Sequence, residues 1–218
     1  DEMEITNLSQ LFTKARNMFA LQGGVKVPLP WLSFATVTAQ YTKIEPFVYS
    51  HYPTWYPDYR LRVDTSYTQD GENLGYYLPP NSDEFLLKFE VMPAPDWRVA
   101  LKYRFVRHGD NPQADWPGLK ESYGDVNKYM DYDPAQLYSY NKNFLHDGIY
   151  DYNHIGNIVV TWRPADPPEL LGAPIPFELG LGYGISYTWS VDETGAGRSS
   201  LVTTGWKNVL SLTMKFFL

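Results

Sequence analysis

A chain of 218 residues with net charge −7 and no cysteine is long enough for a core of ordinary size, and it excludes several classes of protein. The acidic balance argues against nucleic acid, whose phosphates need a surplus of Lys and Arg, and the lack of Cys removes disulfides, thiolate metal sites and cysteine nucleophiles. No run approaches the roughly 18 consecutive apolar residues of a membrane helix, and mean hydropathy is −0.38, but a membrane barrel escapes such averages because every second strand residue faces a polar lumen.

The opening "DEMEITNL" has no initiator Met, charged n-region or apolar h-region, so a signal peptide is expected to be removed or to lie upstream. In "ITNLSQLFTKAR", Ile5, Leu8, Leu11, Phe12 and Ala15 have helical spacing with Thr6 or Asn7 as caps. This predicts a short helix or plug element, against the competing reading of an irregular loop. A weak strand around "NMFALQ" precedes a compact turn at 23–30, "GGVKVPLP", and then a strand in "WLSFATVTAQYTKI".

After a long loop near 46–82, "DEFLLKFEV" sets Phe85, Leu87, Phe89 and Val91 against Glu84, Leu86, Lys88 and Glu90. The turn at 93–96 leads into "WRVALKYRF", where Trp97, Val99, Leu101, Tyr103 and Phe105 oppose Arg98, Ala100, Lys102 and Arg104. The pair reads as a hairpin with its charge on one face, on which Lys88 and Glu90 can meet Arg98, Lys102 and Arg104 across the strands. These five are the predicted lumen-lining residues.

A second long loop, near 107–152, precedes "HIGNIVVTW", and a turn region at 163–176 precedes "FELGLGYGISYTW". There Phe177, Leu179, Leu181, Tyr183, Ile185, Tyr187 and Trp189 alternate with Gly, Ser, Thr and Glu. After a loop near 190–205, "NVLSLTMKFFL" carries Leu210, Leu212, Met214, Phe216 and Leu218 on one side and Val209, Ser211, Thr213, Lys215 and Phe217 on the other.

Together these runs predict an all-β fold. It is an antiparallel transmembrane β-barrel over a single region, 1–218, with about six to eight strands. The compact turns fall on the C-terminal side and the longer loops on the other, the arrangement of outer-membrane barrels with periplasmic turns and extracellular loops. A soluble sandwich or lipocalin-like barrel also alternates, but it would have to bury either the apolar stripes or the Lys and Arg face. Trp31, Trp97, Trp162, Trp189 and Trp206 near strand ends fit interfacial aromatic girdles, which favours the outer membrane and its lipids.

Four short patterns occur in order: "YTKIEPFVYSH" from Tyr41, "YTQDGENLG" from Tyr67, "PNSDE" from Pro80, and "RHG" from Arg107. This stretch, about Leu32 to Asp110, resembles the C-terminal region of the capsule-assembly Wzi-like family of outer-membrane proteins. The resemblance implies the C-terminal portion of a larger barrel, with a non-enzymatic, lectin-like role in binding or organising surface polysaccharide. The last strand resembles the terminal signature read by the barrel-assembly machinery, although it ends on Leu218 where an aromatic is usual.

Candidate chemistry elsewhere is sparse. "RHGD" and "LHDG" place His108 near Asp110 and His146 beside Asp147, but sequence adjacency does not position a general base, so no catalytic residue is assigned. His154 is expected as an interfacial or hydrogen-bonded residue. The acidic stretches "DVNKYMDYDP" and "DGIYDYN" have calcium-type oxygens without EF-hand spacing, and no metal or cofactor is assigned. The candidate ligand-binding set is aromatic: Tyr52, Trp55, Tyr56, Tyr59, Tyr132 and Tyr138 have flat faces suited to sugar stacking, or equally to loop packing. Two other roles compete with polysaccharide binding: a channel for small solutes, and a structural subunit of a larger envelope assembly.

Overall fold

The computed structural model describes residues 10–13, 17–32, 34–46, 48, 54–56, 61–63, 68–69, 72–110, 144–145, 149–170, 172–192 and 200–217. Among these residues thirteen strands follow in chain order: β1 Ala20–Pro28, β2 Thr36–Ile44, β3 Thr54–Tyr56, β4 Leu61–Val63, β5 Thr68–Gln69, β6 Glu72–Asn73, β7 Ser82–Ala94, β8 Trp97–Asp110, β9 Ile149–Trp162, β10 Glu169–Leu170, β11 Ala173–Pro174, β12 Phe177–Asp192 and β13 Ser200–Phe216. Seven of them form one antiparallel sheet in the order β1-β2-β7-β8-β9-β12-β13; the other six make three two-stranded ribbons. The sheet is not closed: β1 and β13 are its two edges.

Alternation is what makes these segments strands, and the register carries it across the sheet. Leu212 pairs with Leu181, Leu181 with Val160, Val160 with Val99 and Val99 with Val91, so five strands share one apolar row. Directly paired residues in an antiparallel ladder point to the same side, so this face is apolar from β7 to the β13 edge. The other face carries Lys88, Lys102, Asn157, Gly184 and Val209 in a second register row.

Burial is inverted relative to a water-soluble domain. The buried hydrophobic cluster is small, Ile44, Val48, Leu78 and Val106 with Met18 and Tyr76 packed on it. Meanwhile Leu181 is 54%, Leu210 74% and Leu212 81% exposed on the apolar face. Each such side chain left in water forgoes about 1.5–3 kcal/mol of burial, so a face of them demands a non-aqueous neighbour.

Several boundaries differ from the sequence reading. "GGVKVP" is not a turn but most of β1, and the connection is Leu29–Ala35, closed by the Leu29 N–H donating to the Ala35 carbonyl at 2.9 Å. Gly24 is needed because its strand runs close to β2, where a Cβ would lie 2.9 Å from the Ala39 carbonyl oxygen. Pro28 is tolerated because it ends an edge strand, where a missing N–H costs no ladder bond. Trp31 therefore sits in the turn, 75% exposed, rather than in a strand.

β8, β9 and β12 extend into the predicted long loops, and β13 starts at Ser200 instead of Asn208. The turn region at 163–176 contains the small β10–β11 ribbon. Of the predicted N-terminal helix, Gln10–Thr13 forms one turn, with the Thr13 N–H donating to the Gln10 carbonyl at 3.2 Å, and the rest lies outside the described residues. No helix among the described residues is long and apolar enough to cross a membrane, which says nothing about crossing with strands.

Candidate functional site

Lys88, Glu90, Arg98, Lys102 and Arg104 all occupy the polar face, as their spacing predicted, but their pairing differs from the expectation. Lys88 and Lys102 are direct register partners, so Lys88 turns along its own strand to Glu90 at 2.8 Å. Glu90 also meets Lys26 of β1 at 3.9 Å, over the Thr36 and Thr38 positions of β2. Arg104 pairs instead with Glu84, at 3.5 Å. Of the meetings expected across the hairpin, Glu90 lies within electrostatic reach of Arg98, whereas Lys88 faces Lys102, because register sets which side chains are neighbours.

Glu84 is the centre of this face. Its side chain is 2% exposed and accepts the Tyr76 hydroxyl at 3.0 Å, the Tyr77 hydroxyl, and the Arg104 guanidinium. A buried carboxylate is tolerable only when its lone pairs are met this way. The Arg104 guanidinium also lies over the Tyr77 ring, 5.1 Å from its centroid. Gln40 of β2 donates to the Tyr76 hydroxyl at 3.4 Å. Burial, with the adjacent Glu84 charge, raises the Tyr76 phenol above its ordinary value, so it stays protonated as a donor.

Residues 74–81 are thus a strap folded across the polar face, and Leu78 beneath it contacts Ile44 and Val106 to make the small core. Asn81 fastens the strap. It adopts φ 58°, the left-handed region that Asn tolerates better than most residues. Its side-chain amide donates to the Gly109 carbonyl at 3.0 Å, its own carbonyl accepts from the Gly109 N–H at 2.9 Å, and its side-chain oxygen accepts from the Leu145 N–H at 2.9 Å. On the opposite face Asp83 receives Arg107 through two hydrogen bonds, and Tyr41 donates to it at 2.8 Å.

Two aromatic rows border the apolar face. Near the compact turns, Trp97 and Trp162 stand 6.1 Å apart and Trp162 meets Phe177 edge-on at 5.6 Å. Toward the longer loops, His154 stacks between Phe105 at 4.7 Å and Trp189 at 5.0 Å, and Trp189 stacks on Tyr152 at 5.0 Å. Tyr187 continues the row to Trp206 at 4.6 Å. His154 is hydrogen-bonded as expected, through Nδ1 to the Tyr103 hydroxyl at 2.7 Å.

Other candidates are placed as follows. His108 Nδ1 meets Ser82 Oγ at 2.8 Å, but Ser82 has no accessible surface and cannot reach a substrate from there. Trp55 and Tyr56 lie in the β3–β4 ribbon, paired with Arg62 and Leu61. Tyr52, Tyr59, Tyr132, Tyr138, His146 and Asp147 lie outside the described residues. Among the described residues no three His, Asp or Glu side chains converge to hold a metal. The Glu84 cluster was not singled out by the sequence reading; the signal available was an acidic residue and an Arg at the inward positions of one hairpin, with paired tyrosines just upstream.

No protein-family model, curated protein or solved structure matches this chain.

Proposed function

We propose that this chain is the C-terminal part of an outer-membrane β-barrel, with its apolar face against lipid, its polar face toward the lumen, its compact turns in the periplasm and its longer loops outside the cell. The observation that carries this reading is the pair of aromatic rows. They are eight positions apart on two adjacent strands, 97 to 105 on β8 and 162 to 154 on β9. Eight residues span about 27 Å along a strand and about 20 Å along the membrane normal at a tilt near 40°; with the rings themselves this fits an apolar band about 25 Å tall. Between them the face bears Val99, Leu101, Ile158 and Val160.

Within that barrel, the role we infer is binding and organising surface polysaccharide, the role implied by the resemblance to the Wzi-like family. The strap supports it: a segment of the resembling stretch crosses the polar face beside the outer loops, which favours a working surface on those loops over free passage of solute. Replacing Trp55 and Tyr56 by Ala is expected to reduce retention of surface glycan on cells by about tenfold, with the barrel still resisting SDS unfolding at room temperature. Unchanged retention in that folded variant rejects the loop-aromatic site.

The charged row Lys88, Glu90, Arg98, Lys102 and Arg104 favours a second reading, a channel whose lining selects charged solutes. Steady conductance of the purified protein in a planar bilayer would support the channel, and silence from inserted, folded protein would reject it.

A further inference from the structure

At the turn end of the polar face, away from the strap, the sheet holds a recess of about 390 Å³ between the β7–β8 turn and the ends of β9, β12 and β13. That volume lies in the range of small-molecule sites, about 300–1,000 Å³. Its charged groups are Asp96, Arg98, Arg163, Glu178 and Lys215. Lys215 is committed to Glu178 at 3.4 Å. Among the described residues neither Arg98 nor Arg163 has a carboxylate partner within 4.0 Å.

The Arg163 guanidinium is held by a ring and not by a carboxylate, while Arg98 is placed by its register and feels the Glu90 charge on β7. The Arg163 N–H donates to the Asp96 carbonyl at 2.8 Å, which fixes the exit of β9 beside the turn. Its guanidinium lies over the Phe217 ring, 4.5 Å from the centroid. That contact orients the planar fork and leaves its N–H edges available. It also accounts for Phe217, the aromatic on the polar side of the last strand. Arg98 comes from β8, opposite Thr161 of β9.

Among the lining residues three cations stand against two carboxylates, an excess of one positive charge in a chain of net charge −7, while Glu90 beside Arg98 is itself met by Lys88 and Lys26. A single excess charge suits a monoanion. The Asp96 and Glu178 carboxylates oppose a compact dianion but accept hydrogen bonds from hydroxyl groups, while Phe217, Trp97 and Met92 add apolar surface. We propose that this recess binds a hexuronic acid unit, with its carboxylate on Arg98 and Arg163, its hydroxyls on Asp96 and Glu178, and its ring against Phe217. The proposal goes beyond the polysaccharide reading and rests on its orientation of the sheet: the recess lies at the compact-turn end, so it takes its sugar acid from the periplasmic side and not from the glycan at the outer loops.

The test is isothermal titration calorimetry of the full chain in detergent micelles with sodium glucuronate, glucose and inorganic phosphate at matched ionic strength. Glucuronate is expected to bind at least about tenfold more tightly than glucose, and Arg98→Gln and Arg163→Gln each to weaken it about tenfold, the scale of one charge-assisted hydrogen bond. Both side chains are exposed, so the variants are expected to fold, which SDS-resistant migration checks. No heat with glucuronate, equal binding of glucose, or full affinity in the double variant overturns the proposal. Phosphate binding as tightly as glucuronate also overturns it, leaving an adventitious ion only. Because the probe is a monosaccharide, failure here leaves the loop site standing, and failure of the loop variant leaves this one standing.

Discussion

Asn81 and Gly109 hold each other by two hydrogen bonds, side-chain amide to carbonyl at 3.0 Å and N–H to carbonyl at 2.9 Å, and this clasp joins the start of β7 to the end of β8. A Cβ on Gly109 would fall 2.3 Å from the Asn81 amide nitrogen and 3.2 Å from the Tyr150 ring. Gly109→Ala is therefore expected to cost about 2–3 kcal/mol, through overpacking and a lost buried hydrogen bond, read as a lower urea midpoint in micelles. Gly23→Ala is the control: nothing lies within 4 Å of its new Cβ, and its midpoint should stay close to wild type.

Glu84 tethers the strap through Tyr76, Tyr77 and Arg104. Glu84→Ala strands the Arg104 charge and removes the acceptor of both phenols, so the strap should loosen at a cost of about 2 kcal/mol, reduced from the fully buried case because Arg104 is partly in water. Hydrogen exchange at Tyr76–Leu78 is the readout. It should rise more than tenfold while β8 and β9 keep their protection; unchanged exchange would show that the apolar contacts of Leu78 hold the strap alone.

The lipid assignment makes the two faces unequal toward charge. Leu101→Arg lies midway between the aromatic rows and should cost about 2–4 kcal/mol in lipid vesicles, while Thr213→Arg on the polar face should cost under about 1 kcal/mol. Folding titrations of both variants measure the difference. Equal penalties would mean that the apolar face does not meet hydrocarbon.

Tryptophan depth gives an independent check. Trp97 and Trp162 belong to one row and Trp189 and Trp206 border the other, so lipids brominated near the headgroup should quench emission more than lipids brominated near the chain ends. Dominant quenching by the deep label would place these rings in the bilayer centre and break the girdle assignment.

The sequence was most legible where large and small side chains alternate without interruption. β12 could be read at sight, because glycines at 180, 182 and 184 oppose Leu181, Tyr183 and Ile185. β1 was misread because glycine and proline have two meanings: they mark turns, and they also mark close backbone approach and a strand on an edge. The strap could not be read from periodicity, since several of its bonds join residues far apart in sequence, Gln40 to Tyr76, and Asn81 to Gly109 and Leu145. What the sequence did carry was wording: "PNSDE" contains Asn81 and "RHG" contains Gly109, and those two patterns meet in the clasp. The charged row was legible by face but not by partner, because register depends on where each strand begins.

The seven-stranded order has a consequence for assembly. With every neighbour antiparallel, β1 and β13 run in the same direction. A two-fold axis along the membrane normal leaves strand direction unchanged, so any seam between edges of two such copies would pair parallel strands. Fourteen strands from two copies thus form an even number with the wrong polarity at both seams. An all-antiparallel cylinder built on the described strands needs an odd number of further strands, which a two-fold repeat of those seven strands alone does not supply.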